Sequence, residues 1–147
     1  MRASGMEAIV IVGYGDGMPG SAKNIDLIAE RLGERYGHPI VVPCCAASHD
    51  PQLSEAVWKC VRGGATRIIV IPYVFSLDAW EISDLAHIIL EESRKLKDVN
   101  IVIGRSLGFD ESLIHVVEKR ISESKEFPDV RELTLVKRGE YSDAVWH

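Results

Sequence analysis

Four short apolar runs recur along the chain, and a stretch with helical spacing follows each of them. Residues 8–13, 40–46, 67–74 and 99–104 are apolar at nearly every position. A strand with one wet face alternates polar and apolar residues, and these runs do not alternate. They read as strands buried on both faces. Residues 21–36 place Ile25, Ile28 and Leu32 on one helical face, and Gly37 stops that helix. Asp50-Pro51 opens a second helix, with aspartate as cap and proline in the first turn. Its buried face is Leu53, Val57, Cys60 and Val61, and Gly63-Gly64 ends it. A third helix over 81–96 is expected to bury Ile82, Leu85, Ile88 and Ile89. A fourth, capped by Asp110, is expected to bury Leu113, Val117 and Ile121. Residues 132–137 suggest a short fifth strand, and 141–147 show no periodicity.

Two-sided strands alternating with amphipathic helices imply a parallel sheet covered on both faces. Right-handed crossovers leave few topologies, and a flavodoxin-like α/β sheet of strand order 2-1-3-4 is the one favoured. The length of 147 residues suits a single domain, with a core over about 8–121 and a C-terminal extension over 122–147. In an open parallel sheet, ligands bind at the carboxyl ends of the strands. The segments that follow the first and third strands should therefore share one edge. They read Gly13-Tyr14-Gly15-Asp16-Gly17 and Pro72-Tyr73-Val74-Phe75-Ser76-Leu77-Asp78-Ala79-Trp80-Glu81.

Charge narrows the partners. A net charge of −5 argues against a nucleic-acid backbone or an anionic membrane. No apolar run approaches the ~20 residues of a membrane helix. The first residues lack the pattern of a signal peptide, so a cytoplasmic location is expected. The three cysteines, Cys44, Cys45 and Cys60, have no framework spacing and read as reduced thiols.

The chemistry-bearing candidates cluster at the expected ligand edge. Residues 15–20 fit G-x-G-x-x-G between a strand and a helix, the context of a dinucleotide site. That site needs an acidic residue at the end of the second strand, where Cys44-Cys45-Ala46-Ala47-Ser48-His49 stands instead. Pro19 also removes an N–H where a phosphate would sit. His49 is the one histidine expected at this edge. His38 falls at the opposite end, His87 and His115 lie in helices, and His147 is terminal. Trp80 opens the third helix with Glu81 and Asp84 close by, a flat apolar wall beside two carboxylates. A glutamate in a first helical turn is also favoured by the helix dipole alone.

At these segments the chain resembles the class II chelatases, above all the short sirohydrochlorin cobaltochelatases. The resemblance spans about residues 8–121. Where the family carries Gly-His-Gly-Ser, this chain has Gly13-Tyr14-Gly15-Asp16. Asp50-Pro51-Gln52-Leu53 matches an acidic-Pro-Ser-Leu turn. Ile69-Val70-Ile71-Pro72 followed by Trp80-Glu81-Ile82-Ser83-Asp84-Leu85 matches the third strand and its His-Val-x-x-Asp continuation. Ser106-Leu107-Gly108 matches a Pro-Leu-Gly turn.

The resemblance implies insertion of a divalent metal, cobalt, nickel or iron, into a tetrapyrrole, with no organic cofactor. It implies Tyr14, Glu81 and Asp84 as catalytic groups, with Tyr14 and His49 toward the metal. Gly13, Gly15, Asp16, Ser76 and Trp80 would then touch the ring. The family's two metal-handling histidines fall on Tyr14 and Trp80, a phenol and an indole. Two other functions stay open: a non-catalytic relative that binds a macrocycle, a metal or a partner chelatase, and a nucleotide-binding domain using Gly15 to Gly20. A homodimer is expected, because one short chain supplies only half the walls of a tetrapyrrole cleft.

Overall fold

The computed structural model describes residues 5–14, 21–45 and 52–133. Within them the chain runs β1 (Met6–Gly13), α1 (Ser21–Tyr36), β2 (Ile40–Cys45), α2 (Gln52–Arg62), β3 (Ala65–Tyr73), α3 (Ala79–Lys95), β4 (Asn100–Ile103) and α4 (Glu111–Ser124), and a 3₁₀ turn follows at Val130–Leu133. The strands form one parallel sheet of order β2-β1-β3-β4, the order that the alternation of elements implies.

Register follows the apolar runs. Val10 lies between Val42 and Val70, and Gly13 lies between Cys45 and Tyr73. The pairing of β3 with β4 is short, from Arg67 with Asn100 to Val70 with Ile103. Two prolines sit where a missing N–H costs least. Pro43 is on the edge strand β2, and Pro72 lies past the last β3–β4 pair, where β3 has one neighbour.

Alternation along β1 sorts the core into two layers. Ala8, Val10 and Val12 pack with Leu53, Val57 and Cys60 of α2 and with Leu85 and Ile89 of α3. Ile9 and Ile11 face the other way and pack with Ile25 of α1. Each fully buried Val, Leu or Ile contributes about 1.5–3 kcal/mol relative to exposure, which is why the centres of the runs are apolar and their polar residues, Arg67 and Asn100, stand at the ends. Gly37 adopts φ 70° immediately after α1, and its N–H bonds to the Gly33 carbonyl, so the helix stops where the sequence places its glycine.

One charged group lies inside the α2–α3 layer. Glu92 is 7% exposed, and its Oε2 accepts from Trp58 Nε1 at 2.7 Å. Lys95 Nζ lies 3.6 Å from the other carboxylate oxygen. Burial pushes the Glu92 carboxyl up. Hydrogen bonds from Trp58 and Ser54 and the Lys95 ammonium outweigh it and hold the group below its usual value.

Three expectations are corrected. Ile82 is 50% exposed, so the buried stripe of α3 runs through Leu85, Ile89 and Glu92. α4 buries no residue: Val117 is 57% and Ile121 50% exposed, although Asp110 caps the helix as expected. Spacing tells which residues share a helix face but not whether anything covers it. At the expected fifth strand, residues 130–133 form a 3₁₀ turn whose start is fixed by Asp129, which accepts from the Arg131 backbone and guanidinium. Residues 134–137 lie outside the described residues. The Asp50-Pro51 cap also lies outside them. The chain divides into two compact units, residues 1–108 with the sheet and α1 to α3, and residues 109–147 with α4.

Candidate functional site at the carboxyl edge of the sheet

Tyr14 leaves β1 at the carboxyl edge, one residue after its last sheet pair. Its ring packs against the core layer that α2 and α3 cover. Its hydroxyl is buried without a hydrogen-bond partner among the described residues. Burial, then the nearby Glu81 carboxylate and Cys44 thiol, push the phenol up to about 12. All three causes disfavour phenolate, so Tyr14 is a neutral hydroxyl at physiological pH. Coordination of a metal by this oxygen would first have to remove a proton that burial and the nearby Glu81 charge both help to retain.

The α3 start shows what its first turn is built to do. Asp78 Oδ1 accepts from the Glu81 N–H at 2.8 Å, and Glu81 Oε2 accepts from the Asp78 N–H at 2.9 Å. This reciprocal capping box satisfies two donors that the helix leaves orphaned. Glu81 therefore has a structural role at the same position where the resemblance implies a catalytic one. Asp84, one turn on, is exposed, and Trp80 is 80% exposed. An indole held in water at a helix start is costly to leave uncovered, because aromatic rings bury large areas when they can.

Beside this turn lies a cavity of about 460 Å³, lined by Pro72, Ser76, Leu77, Ile82, Leu85, Ile103, Gly104, Arg105 and Ser106. Its walls are the ends of β3 and β4 and the first turns of α3. The loops after β3 and β4 are tied together. The Leu107 N–H bonds to the Val74 carbonyl at 2.9 Å, and the Gly108 N–H to the Phe75 carbonyl at 2.8 Å. Ser106 Oγ donates to the same Phe75 carbonyl at 3.3 Å. Phe75 is 63% exposed, which adds a second uncovered ring to this part of the edge.

The expected site residues separate under this geometry. Tyr14, Ser76, Trp80, Glu81 and Asp84 all belong to the carboxyl edge, and Ser76 lines the cavity. Gly13 is explained by packing. A Cβ there would lie 1.8 Å from Ile25 Cδ1, so any side chain at this position requires Ile25 to shift. Gly15, Asp16 and His49 lie outside the described residues. His87 lies along α3, 3.7 Å from Glu91, well away from its start. Cys60 is fully buried, and burial pushes its thiol up to about 11, so it is an inert core residue as its helical position suggests. Among the described residues, no three His, Cys, Asp or Glu side chains are placed to hold a metal ion. Sequence reading overlooked Arg105, Ile103 and the apolar lining. A lone arginine after a strand carries no pattern of its own, and only the cavity picks it out.

A parallel sheet with a largely apolar cavity at its carboxyl edge, carrying one arginine, has the layout of a small-ligand α/β domain. The family model for CbiX matches residues 8–124, and the chain belongs to that family. It is 26% identical over 143 residues to the sirohydrochlorin ferrochelatase of Priestia megaterium, covering 95% of this chain and 53% of that protein. It is 40% identical over 67 residues to the sirohydrochlorin cobaltochelatase of Methanocaldococcus jannaschii, covering 46% of this chain and 47% of that protein. The fold is similar to the sirohydrochlorin chelatase SirB from Bacillus subtilis subspecies spizizenii in complex with cobalt. The TM-score is 0.71 at 22% identity, over 80% of this chain and 50% of the other. The chain thus spans about half the length of the curated relatives it matches.

Proposed function

We propose that this chain holds a sirohydrochlorin-type tetrapyrrole at the carboxyl edge of its sheet, and that its metal insertion is weak or absent. The observation that carries this is the apolar cavity beside Trp80 and the α3 carboxylates, in a chain of the CbiX family. A flat macrocycle suits a site with an uncovered indole and an aliphatic wall. Glu81 and Asp84 would draw a divalent metal substrate toward the ring. Imidazole is the donor that suits cobalt and nickel, and carboxylates are harder ligands. Trp80 has no lone pair for a metal, and the Tyr14 phenol is held protonated. Low turnover follows from that inventory, with cobalt, nickel or iron as the candidate metal substrates. The relatives' names, cobaltochelatase and ferrochelatase, support cobalt and iron.

The test is an absorbance titration of metal-free sirohydrochlorin with the purified chain, then addition of cobalt. Binding shifts the Soret band, and insertion removes the metal-free spectrum. The double change Tyr14→His and Trp80→His should raise the initial rate of insertion. Robust turnover by the unmodified chain, abolished by Asp84→Asn, would show that carboxylates replace the imidazoles. A chain and double variant that are both inert, with no spectral sign of binding, would remove the tetrapyrrole reading and favour a nucleotide or another ligand.

The proposal includes a homodimer in which two copies of this cleft face each other. Sedimentation at tens of micromolar, roughly the working range for a weak dimer, should show the paired species. A monomer at that concentration would count against pairing. The absence of a helix long and apolar enough to cross a membrane, among the described residues, is compatible with the expected cytoplasmic location.

A further inference from the structure

Arg105 is the cation that lines the edge cavity, and among the described residues it forms no ion pair. Its neighbours there are apolar or neutral: Pro72, Leu77, Ile82, Ile103 and Ser106. The α3 side of the lining is Ile82 and Leu85; the Asp78–Glu81 capping box and the exposed Asp84 belong to the same turns but not to the lining. The lining therefore carries one charged group, the Arg105 guanidinium, on an otherwise apolar or neutral wall. The tie between the β3 and β4 loops holds the Arg105 backbone in place. Gly104 N donates to the Val70 carbonyl at 2.7 Å on one side of it, and Ser106 Oγ to the Phe75 carbonyl on the other.

We infer that Arg105 recognises a carboxylate on the rim of the bound macrocycle and makes this site selective for polycarboxylated rings. The inference rests on the tetrapyrrole reading and deepens it. The net charge of −5 means that the chain as a whole repels a polyanionic ligand. A site for such a ligand therefore needs a local cation beside its apolar wall. A guanidinium serves that need better than an ammonium, because its planar fork matches a carboxylate with two parallel hydrogen bonds. The flat ring would lie against Leu77, Ile82 and the Trp80 indole while one peripheral carboxylate meets the fork. Arg105 is exposed, so its replacement leaves the core untouched.

The experiment titrates two metal-free porphyrins, one carboxylated at every pyrrole and one with only two carboxylates. The proteins are the unmodified chain, Arg105→Ala, Arg105→Lys and the control Arg67→Ala. Arg67 pairs with Glu7 at the amino end of the sheet, 3.6 Å apart. The unmodified chain should prefer the fully carboxylated ring and lose that preference as salt rises. Arg105→Ala should weaken that ring about ten-fold, which is ~1.4 kcal/mol, and flatten the salt dependence. Arg105→Lys should fall between, because it keeps the charge and loses the fork. The Arg67 control should bind as the unmodified chain does. Tight binding that Arg105→Ala leaves unchanged would overturn the assignment of Arg105 and leave the tetrapyrrole reading intact. Equal losses in Arg105→Ala and Arg67→Ala would also overturn it, as a general charge effect. No binding of either ring, nor of sirohydrochlorin, by the unmodified chain would overturn both.

Discussion

Replacing Trp58 by phenylalanine keeps an aromatic ring between α2 and α3 and deletes one donor, the Nε1–H on Glu92 Oε2 at 2.7 Å. Glu92 stays where it is, 7% exposed, with Lys95 at 3.6 Å as its remaining charged partner. A hydrogen bond to a charged group contributes about 1.5–3 kcal/mol, and a buried carboxylate that loses a donor carries much of that as uncompensated desolvation. The Ser54 bond and Lys95 soften the loss, so the low end, about 1.5–2 kcal/mol, is expected at neutral pH. In a chain of this size that lowers Tm by about 3–8 °C. The assay is urea unfolding followed by far-ultraviolet circular dichroism, where Cm should fall at constant m. The pH dependence is the sharper test. The folded-state value of Glu92 is depressed, so its stabilising contribution is present above the unfolded carboxylate value near pH 4 and is lost as pH falls through the folded value. The difference between unmodified chain and variant should therefore shrink on acidification below about pH 4. Glu92→Gln should reduce the effect of Trp58→Phe, because the acceptor is then neutral. A Trp58→Phe penalty below about 0.5 kcal/mol, or one that is the same at pH 7 and in acid, would refute this account of the buried charge.

Gly13→Ala should destabilise the fold by about 1–3 kcal/mol, read as a lower Cm, because its Cβ meets Ile25 Cδ1; Ile25→Val in the same chain should restore part of the loss. Asp78→Ala should cost about 1 kcal/mol by unmaking the capping box, whereas Glu81→Gln should leave stability within about 0.5 kcal/mol, since glutamine also closes the box. Any loss of metal uptake in Glu81→Gln can then be assigned to chemistry rather than folding. Tyr14→Phe should leave stability unchanged or raise it by up to about 1 kcal/mol, since the hydroxyl is buried without a described partner. The raised phenol favours the folded state below about pH 10 and loses that effect as pH climbs toward 12, so the variant should also lack part of the alkaline decline in stability seen by circular dichroism.

Sheet order and the family were legible in the linear chain, as was the placement of Tyr14 and Trp80 at one edge of the sheet. Short runs that are apolar at nearly every position and alternate with amphipathic helices read as strands covered on both faces, and parallel crossovers then leave few arrangements. Caps were equally legible, since the chemistry of Asp110 and Gly37 acts on neighbours within a few residues. What the sequence could not supply was every property that depends on who comes near whom across the fold. Gly13 looks like part of a ligand loop until Ile25 is found against it. Glu92 reads as a surface residue of a charged helix end until Trp58 of a different helix meets it. Ile82, Val117 and Ile121 carry the right spacing for burial, yet stay exposed because nothing described covers them. The protonated state of Tyr14 and the lone cation of Arg105 belong to the same class. Periodicity and capping are local and travel with the residues; burial, charge environment and cavities arise only when distant segments close on one another, and those are the terms that shape this edge.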